Sequence, residues 1–219
     1  MKITNSSLNT KTSRLTKLER SQIVLPNNLK DILVGLLLGD LYAQKRSTKG
    51  NTLLRFEQGF LHKEYIDHLY DLFKNYCVSE PKVTNRLPNK VTGKTYTRVT
   101  FHSMSLPCFN ELHNLFYHEG KKVVPDNIGL ILTPLSLAYW IADDGSWDQN
   151  TLRLYTNGYT LEEVNLLAKT LTDNFNLICT INKNEDKHTI RIARKSVSCL
   201  QTLLNPIMPP MMRYKIQGK

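Results

Sequence analysis

No apolar run in this 219-residue chain is long enough to cross a bilayer: the longest unbroken one, Ile32 to Gly39, has fewer than half of the ~18 residues a span needs. A membrane partner is not expected. The four cysteines, Cys77, Cys108, Cys179 and Cys199, form no close pair. That excludes a Cys-x-x-Cys metal clip and a dense disulfide framework, and leaves them as small buried hydrophobes. There is no Gly-rich phosphate loop, so no nucleotide cofactor is implied. His62, His68, His102 and His188 are too scattered for a zinc site. A secretory leader is not expected either, because the N-terminal segment has no hydrophobic core.

Acidic residues are scarce where basic ones are plentiful. The chain carries 29 Lys+Arg against 19 Asp+Glu, a net charge of +10, and residues 1–30 hold six bases and one acid. Such an excess points to a polyanionic partner. With 41% apolar residues a real core is affordable, so wholesale disorder is excluded. The length suits one large domain or two of roughly 100 residues.

Periodicity divides the chain into alternating helices and strands. Leu29, Ile32, Leu33, Leu36 and Leu37 recur on one helical face after Pro26. Extended runs at Leu41 onward and Thr52 to Gln58 follow, then a helix over Lys63 to Tyr76. A hairpin over Lys82 to Phe101 and a helix from Cys108 to Tyr117 complete the unit. The same order recurs from Pro134: a helix to Asp143, strands near Ser146 to Asp148 and Arg153 to Thr156, and a helix from Leu161 to Phe175 opened by a Thr160–Glu163 capping box. A hairpin over Cys179 to Ala193 and a helix over Lys195 to Leu204 close it. The chain reads as an α+β unit, αββαββα, repeated in tandem. Residues 1–26 form a basic arm, 27–128 the first repeat and 129–219 the second.

Each repeat opens with an apolar helix that ends in an acid: Leu33-Val34-Gly35-Leu36-Leu37-Leu38-Gly39-Asp40 and Leu137-Ala138-Tyr139-Trp140-Ile141-Ala142-Asp143-Asp144. Small residues stand four apart in each, Gly35/Gly39 and Ala138/Ala142. An interior Gly costs a helix about 1 kcal/mol against Ala, so close approach of a second helix is the expected compensation. Packing the two helices together brings Asp40 and Asp144 to one end. A helix C-terminus already presents free carbonyls and about half a negative charge. Two acids there call for a cation, and oxygen-only ligands beside a polyanion favour Mg²⁺ over Zn²⁺.

These two segments resemble the paired motifs of the LAGLIDADG homing endonucleases, in the single-chain form that holds both repeats. The resemblance runs from about Leu29 to Lys215. The first motif departs from the family at Leu41, where Gly is usual, and at Leu38, where an acid is common; the second has Asp143 where a small residue is usual. The resemblance marks Asp40 and Asp144 as ligands of catalytic Mg²⁺, two or three ions per pair of centres, with Gly39 and Asp143 beside them in the metal site. It implies a basic residue at each centre, Lys122 and Lys215, and polar residues that hold solvent, for which Glu57 and Asn182 fit best. It also implies two mixed four-stranded sheets that form a DNA-binding saddle, packed through the motif helices.

On that saddle, Lys82, Arg86, Lys90, Lys94 and Arg98 occupy an acid-free ribbon suited to the major groove. Tyr42, Gln44, Lys45, Arg46 and Arg55 offer a second ribbon, and Arg153, Tyr155, Lys183, Arg191 and Arg194 supply the other repeat. His113-Asn114 and His118 invite an HNH-nuclease reading, but they sit on an amphipathic helix and read as structural. The expectation is a monomeric, site-specific, Mg²⁺-dependent double-strand DNA endonuclease; the resemblance implies that it leaves 3′ overhangs and promotes intron mobility. The rivals are an RNA-splicing maturase with intron RNA as partner and a non-cleaving DNA-binding regulator. Nineteen asparagines and nineteen lysines fit AT-rich codons and an organellar gene, in mitochondrion or plastid.

Overall fold

The computed structural model describes residues 15–88, 92–184 and 187–217. The first repeat runs α2 (Asn27–Leu38), β1 (Tyr42–Lys45), β2 (Thr52–Gly59), α3 (Lys63–Phe73), β3 (Lys82–Asn85), β4 (Thr97–His102) and α4 (Asn110–Phe116), preceded by α1 (Lys17–Gln22). A two-strand ribbon, β5 (Tyr117–His118) and β6 (Lys121–Lys122), and a short α5 (Ile128–Ile131) lead into the second repeat. That repeat runs α6 (Pro134–Asp144), β7 (Gly145–Asp148), β8 (Thr151–Tyr155), α7 (Leu161–Phe175), β9 (Cys179–Asn184), β10 (Lys187–Ile192) and α8 (Arg194–Leu204), with α9 (Tyr214–Gln217) after it.

The two sheets have matching orders, β1-β2-β4-β3 and β7-β8-β10-β9. Every pairing in them is antiparallel, where the sequence reading expects mixed sheets. The reason lies in the crossover. From β2, α3 carries the chain past the neighbouring position to the sheet edge, and β4 then fills the gap as a hairpin, so no two parallel strands touch. Alternation gives each sheet one apolar face. In the first, Leu54, Phe56, Val99 and Phe101 are buried under α3, while Arg55, Glu57, Arg98 and Thr100 occupy the face that no helix covers.

Helices α2 and α6 are buried almost all round, as Ile32 to Leu38 and Ser136 to Ala142 show. An all-round apolar helix is a core helix, and these two pack on each other at the centre. Thr133 caps α6 through the Ser136 amide with Pro134 in its first turn, and Thr160 and Glu163 form the capping box of α7.

Residues 15–26 are not a free arm. Thr16 and Glu19 make a capping box that starts α1, Ile23 and Leu25 pack on the core, and the Tyr76 hydroxyl donates to the Val24 carbonyl. Residues 1–14 lie outside the described part. The linker leans on the second repeat: the Val124 amide donates to Glu163 and the Asn174 side chain to the Gly129 carbonyl, so the division at 128/129 falls inside α5. The cysteines are less buried than expected, with Cys77, Cys108 and Cys179 half-buried and Cys199 exposed. Burial still pushes the Cys77 thiol up to about 12, which makes it inert.

Candidate active site

Backbone contact between α2 and α6 sets the geometry. A Cβ on Gly35 would lie 2.0 Å from the Ser136 carbonyl oxygen and 3.0 Å from the Trp140 nitrogen. One turn on, a Cβ on Gly39 would lie 2.5 Å from the Asp143 Cβ. The face of α6 that meets the glycines is therefore Ser136, Trp140 and Asp143, spaced four and three apart. Ala138 and Ala142, the expected counterparts, are fully buried but are not among the atoms nearest either glycine.

At the ends of these helices two arrangements mirror each other. The Lys122 ammonium donates to the Gly39 carbonyl at 2.7 Å, and the Lys215 ammonium to the Asp143 carbonyl at 2.7 Å. Each lysine thus holds the peptide oxygen just before the last acid of one motif. Each ammonium has three donors, so two remain for a phosphate or water. Short elements place them: Lys122 lies on β6 and Lys215 on α9.

The two acids are not alike. Asp40 is exposed and accepts a hydrogen bond from Gln58 Nε2 at 2.8 Å. Asp144 is half-buried; burial and then the Asp40 charge push its carboxyl up to about 7, against the opposing pull of Lys122 and Lys215. Burial lowers both lysines below the ordinary range, with Asp143, Asp144 and Asp40 pulling the other way. His62 lies in the same field: burial and Lys215 lower it, Asp40 raises it.

Asp143 does not face the cleft with the other acids. Its carboxylate turns into the helix interface, accepting from the Asp40 amide at 3.0 Å and from the Tyr65 hydroxyl at 3.0 Å. Glu57 lines the same cleft as Asp40, and its two oxygens accept from Arg86 and from Arg98 (2.8 Å). Asn182 lies at the far edge of the second sheet from the strand that follows Asp144. It lies on the edge strand β9, three strand spacings of ~4.8 Å from β7, which leaves α6. Its register partner Thr189 pairs in turn with Tyr155, which places Asn182 on the helix-free face.

Beside Asp40, Tyr42, Arg55, Arg86 and Arg98 line one cleft. Gln44 and Lys82 fall on the same face by register, and Arg46 and Lys94 are exposed in turns at its border. Lys90 lies outside the described residues. Lys45 is on the wrong face: alternation turns it toward α4, where its ammonium donates to Asn114 at 2.6 Å. In the second sheet Arg153, Tyr155 and Arg191 share the helix-free face. Lys183 does not, because it shares strand parity with core-packed Ile181, and Arg194 is past the sheet as the first residue of α8. Arg153 is pinned by Asp148 at 2.6 Å and Arg191 by Thr151 at 3.0 Å.

The model of the LAGLIDADG DNA endonuclease family matches residues 30–200. This chain belongs to that family. It is 36% identical over 198 residues to "Probable intron-encoded endonuclease 1" of Wickerhamomyces canadensis, covering 85% of this chain and 83% of that protein. It is 35% identical over 197 residues to "Cytochrome b mRNA maturase bI2" of Debaryomyces hansenii, covering 88% of this chain and 74% of that protein. Among solved structures, "The homing endonuclease I-WcaI bound to its DNA recognition sequence" superposes with a TM-score of 0.85 at 31% identity, covering 97% of this chain and 95% of that one.

A LAGLIDADG nuclease needs a hard cation, and the donors fit one. Two carboxylates stand at helix ends beside carbonyls, and burial first, then the Asp40 charge, raises the Asp144 carboxyl to about 7, so a cation among these oxygens would favour its ionised form. Among the described residues no group of three acids, histidines or cysteines is gathered there. The remaining positions around the ion would be filled by carbonyl, water and phosphate oxygens, as a hard divalent cation prefers. Gln58 and Tyr65 are the site residues that sequence reasoning missed. Gln58 was legible only as the position next to Glu57 on the opposite strand face, and Tyr65 only as a core position of α3.

Proposed function

We propose that this protein is a site-specific endonuclease that binds a long double-stranded DNA target and cuts one phosphodiester on each strand. The carrying observation is the mirrored pair of lysines, Lys122 on the Gly39 carbonyl just before Asp40 and Lys215 on the Asp143 carbonyl just before Asp144, built around one helix interface. Two such centres beneath two basic, helix-free sheet faces suit one cut per strand, with 3′ overhangs and 5′-phosphate ends. The likeness to I-WcaI, solved on its DNA recognition sequence, supports duplex DNA as the ligand.

Mg²⁺ held by Asp40 and Asp144 would stabilise charge on the scissile phosphate and acidify the attacking water. The free donors of Lys122 and Lys215 orient that phosphate or water. Gln58 aims the Asp40 carboxylate. Arg86 and Arg98, fixed by Glu57, and Arg153, fixed by Asp148, present preorganised forks for guanine edges, while Lys82, Lys94 and Arg46 hold phosphates. The intron-encoded names of the relatives and the Asn- and Lys-rich sequence support intron mobility in an organelle, with the chain acting as a monomer.

The test is a selection from genomic or randomised duplexes to find the target, then cleavage of a plasmid carrying it, with Mg²⁺ and with EDTA. Linear product with Mg²⁺ alone is expected; intact plasmid under both conditions overturns the reading. The 35% identity to a cytochrome b mRNA maturase favours a second reading, binding of intron RNA. Splicing assisted by protein that fails to cut any duplex would establish it in place of the first.

A further inference from the structure

The Asp143 carboxylate has a place made for it in the helix interface. Opposite stands Gly39, whose missing Cβ would lie 2.5 Å from the Asp143 Cβ. Asp143 Oδ2 accepts from the Asp40 amide and Oδ1 from the hydroxyl of Tyr65, a fully buried residue of α3 in the other repeat. The amide of Asp40 needs that partner. Helix α2 ends at Leu38; the Gly39 amide bonds the Gly35 carbonyl and the Leu41 amide bonds the Leu36 carbonyl, which leaves the Asp40 amide between them without a helical acceptor. The mirror position is built otherwise, since Asp144 lies within α6 and Gly39 has no side chain to reach it.

We propose that Asp143 is a positioning residue for the Asp40 centre: anchored by Tyr65, it fixes the Asp40 peptide from across the interface, so that one of the two cuts depends on a side chain of the other repeat. This rests on the endonuclease reading, and extends it to a built-in inequality between the two centres. A misplacement of about 1 Å can cost a reaction on the order of 100-fold, so the loss falls on the strand that Asp40 serves.

Two measurements test it on full-length protein. The first is hydrogen exchange of the Asp40 amide in metal-free, DNA-free protein. The second is single-turnover cleavage of duplex labelled on each strand separately. Asp143→Ala removes both hydrogen bonds; Asp143→Asn keeps an oxygen for the amide and can donate to the Tyr65 oxygen. The Ala variant is expected to lose Asp40 protection and to slow one strand roughly tenfold more than the other, so that nicked DNA accumulates. The Asn variant should keep protection and the wild-type strand ratio, and Tyr65→Phe should show a smaller skew of the same sign. Equal slowing of both strands by Asp143→Ala, undiminished protection, or an Asn variant as skewed as the Ala variant overturns the proposal. If Asp143→Ala does not fold, Tyr65→Phe decides, and wild-type protection with an unskewed ratio overturns it. Absence of cleavage by wild-type protein would refute the nuclease reading alone, because the exchange measurement requires neither metal nor DNA.

Discussion

Gly35 and Ser136 touch through their backbones: the Cβ that Gly35 lacks would sit 2.0 Å from the Ser136 carbonyl oxygen. A peptide oxygen inside a packed helix cannot swing aside as a flexible side-chain tip can. The placing of Asp40 relative to Asp144 is inherited from this contact, because the two acids leave the same pair of helices.

Gly35→Ala therefore sets two effects against each other. Helix propensity favours Ala by about 1 kcal/mol. Overpacking opposes it, typically by 1–3 kcal/mol and more where backbone must shift. With a 2.0 Å clash the second wins, so net destabilisation of about 1–2 kcal/mol is expected in urea titration. A more stable Gly35→Ala variant would mean the helices are further apart than described.

Much of this architecture was legible in the sequence, and the losses have identifiable causes. Element order, the α7 capping box and the acid pair were readable because periodicity, caps and helix-end acids are local signals. The interface register was not. Gly35/Gly39 and Ala138/Ala142 look like matching stripes, yet which face of α6 meets the glycines depends on a rotation that spacing alone leaves open. The same limit put Lys45 and Lys183 on the DNA side, where a one-residue change of parity reverses the face. The two arginine partners of Glu57, 29 and 41 residues away, were not legible, because they are joined to it only by strand pairing.

The Glu57 ion pairs give a pH signature. Burial raises its carboxyl, but hydrogen bonds from Arg86 and Arg98 and their charges outweigh this, leaving it below the ordinary 4.5. A depressed acid contributes stability above its unfolded value, and that contribution is lost as pH falls through the folded value. Glu57→Gln should cost about 0.5–1 kcal/mol at pH 7, given partly exposed partners. The difference should close as pH falls below 4.5. Thermal melts at a series of pH values read it directly, and a gap that persists in acid would assign the loss to packing instead.

Salt dependence separates the true DNA face from the rest. Each phosphate contacted contributes about −0.9 to the log-log slope of affinity against salt. Neutralising Lys82 and Lys94 together should flatten that slope by roughly one to two. Lys45→Gln should leave it unchanged, because that ammonium is engaged with Asn114 on the helix side of the sheet. The reverse outcome, with Lys45 changing the slope and the other pair silent, would exchange the two faces.

The decisive variants are Asp40→Asn and Asp144→Asn, because the structure separates their chemical effect from any effect on folding. At Asp40 the side chain is exposed, and an Asn oxygen can still accept from Gln58. At Asp144 burial holds the carboxyl near 7, well above the ordinary 3.8, so stability falls as pH rises from about 4 to about 7 and the full cost of the ionised group is present at pH 8. An amide removes that cost, and metal-free Asp144→Asn should be at least as stable as the wild type at pH 8. Neither variant alters the arginines and lysines of the sheets, so gel-shift affinity for the target should hold within about threefold, a change of under 1 kcal/mol. Cleavage should not survive. Even partners of metal ligands cost 10–100-fold when lost, so replacing an anionic ligand itself should slow double-strand cutting more than roughly a hundredfold. Full linearisation by either variant, in single-turnover conditions with Mg²⁺, would remove that acid from the metal site and with it the case for two centres built on one helix pair.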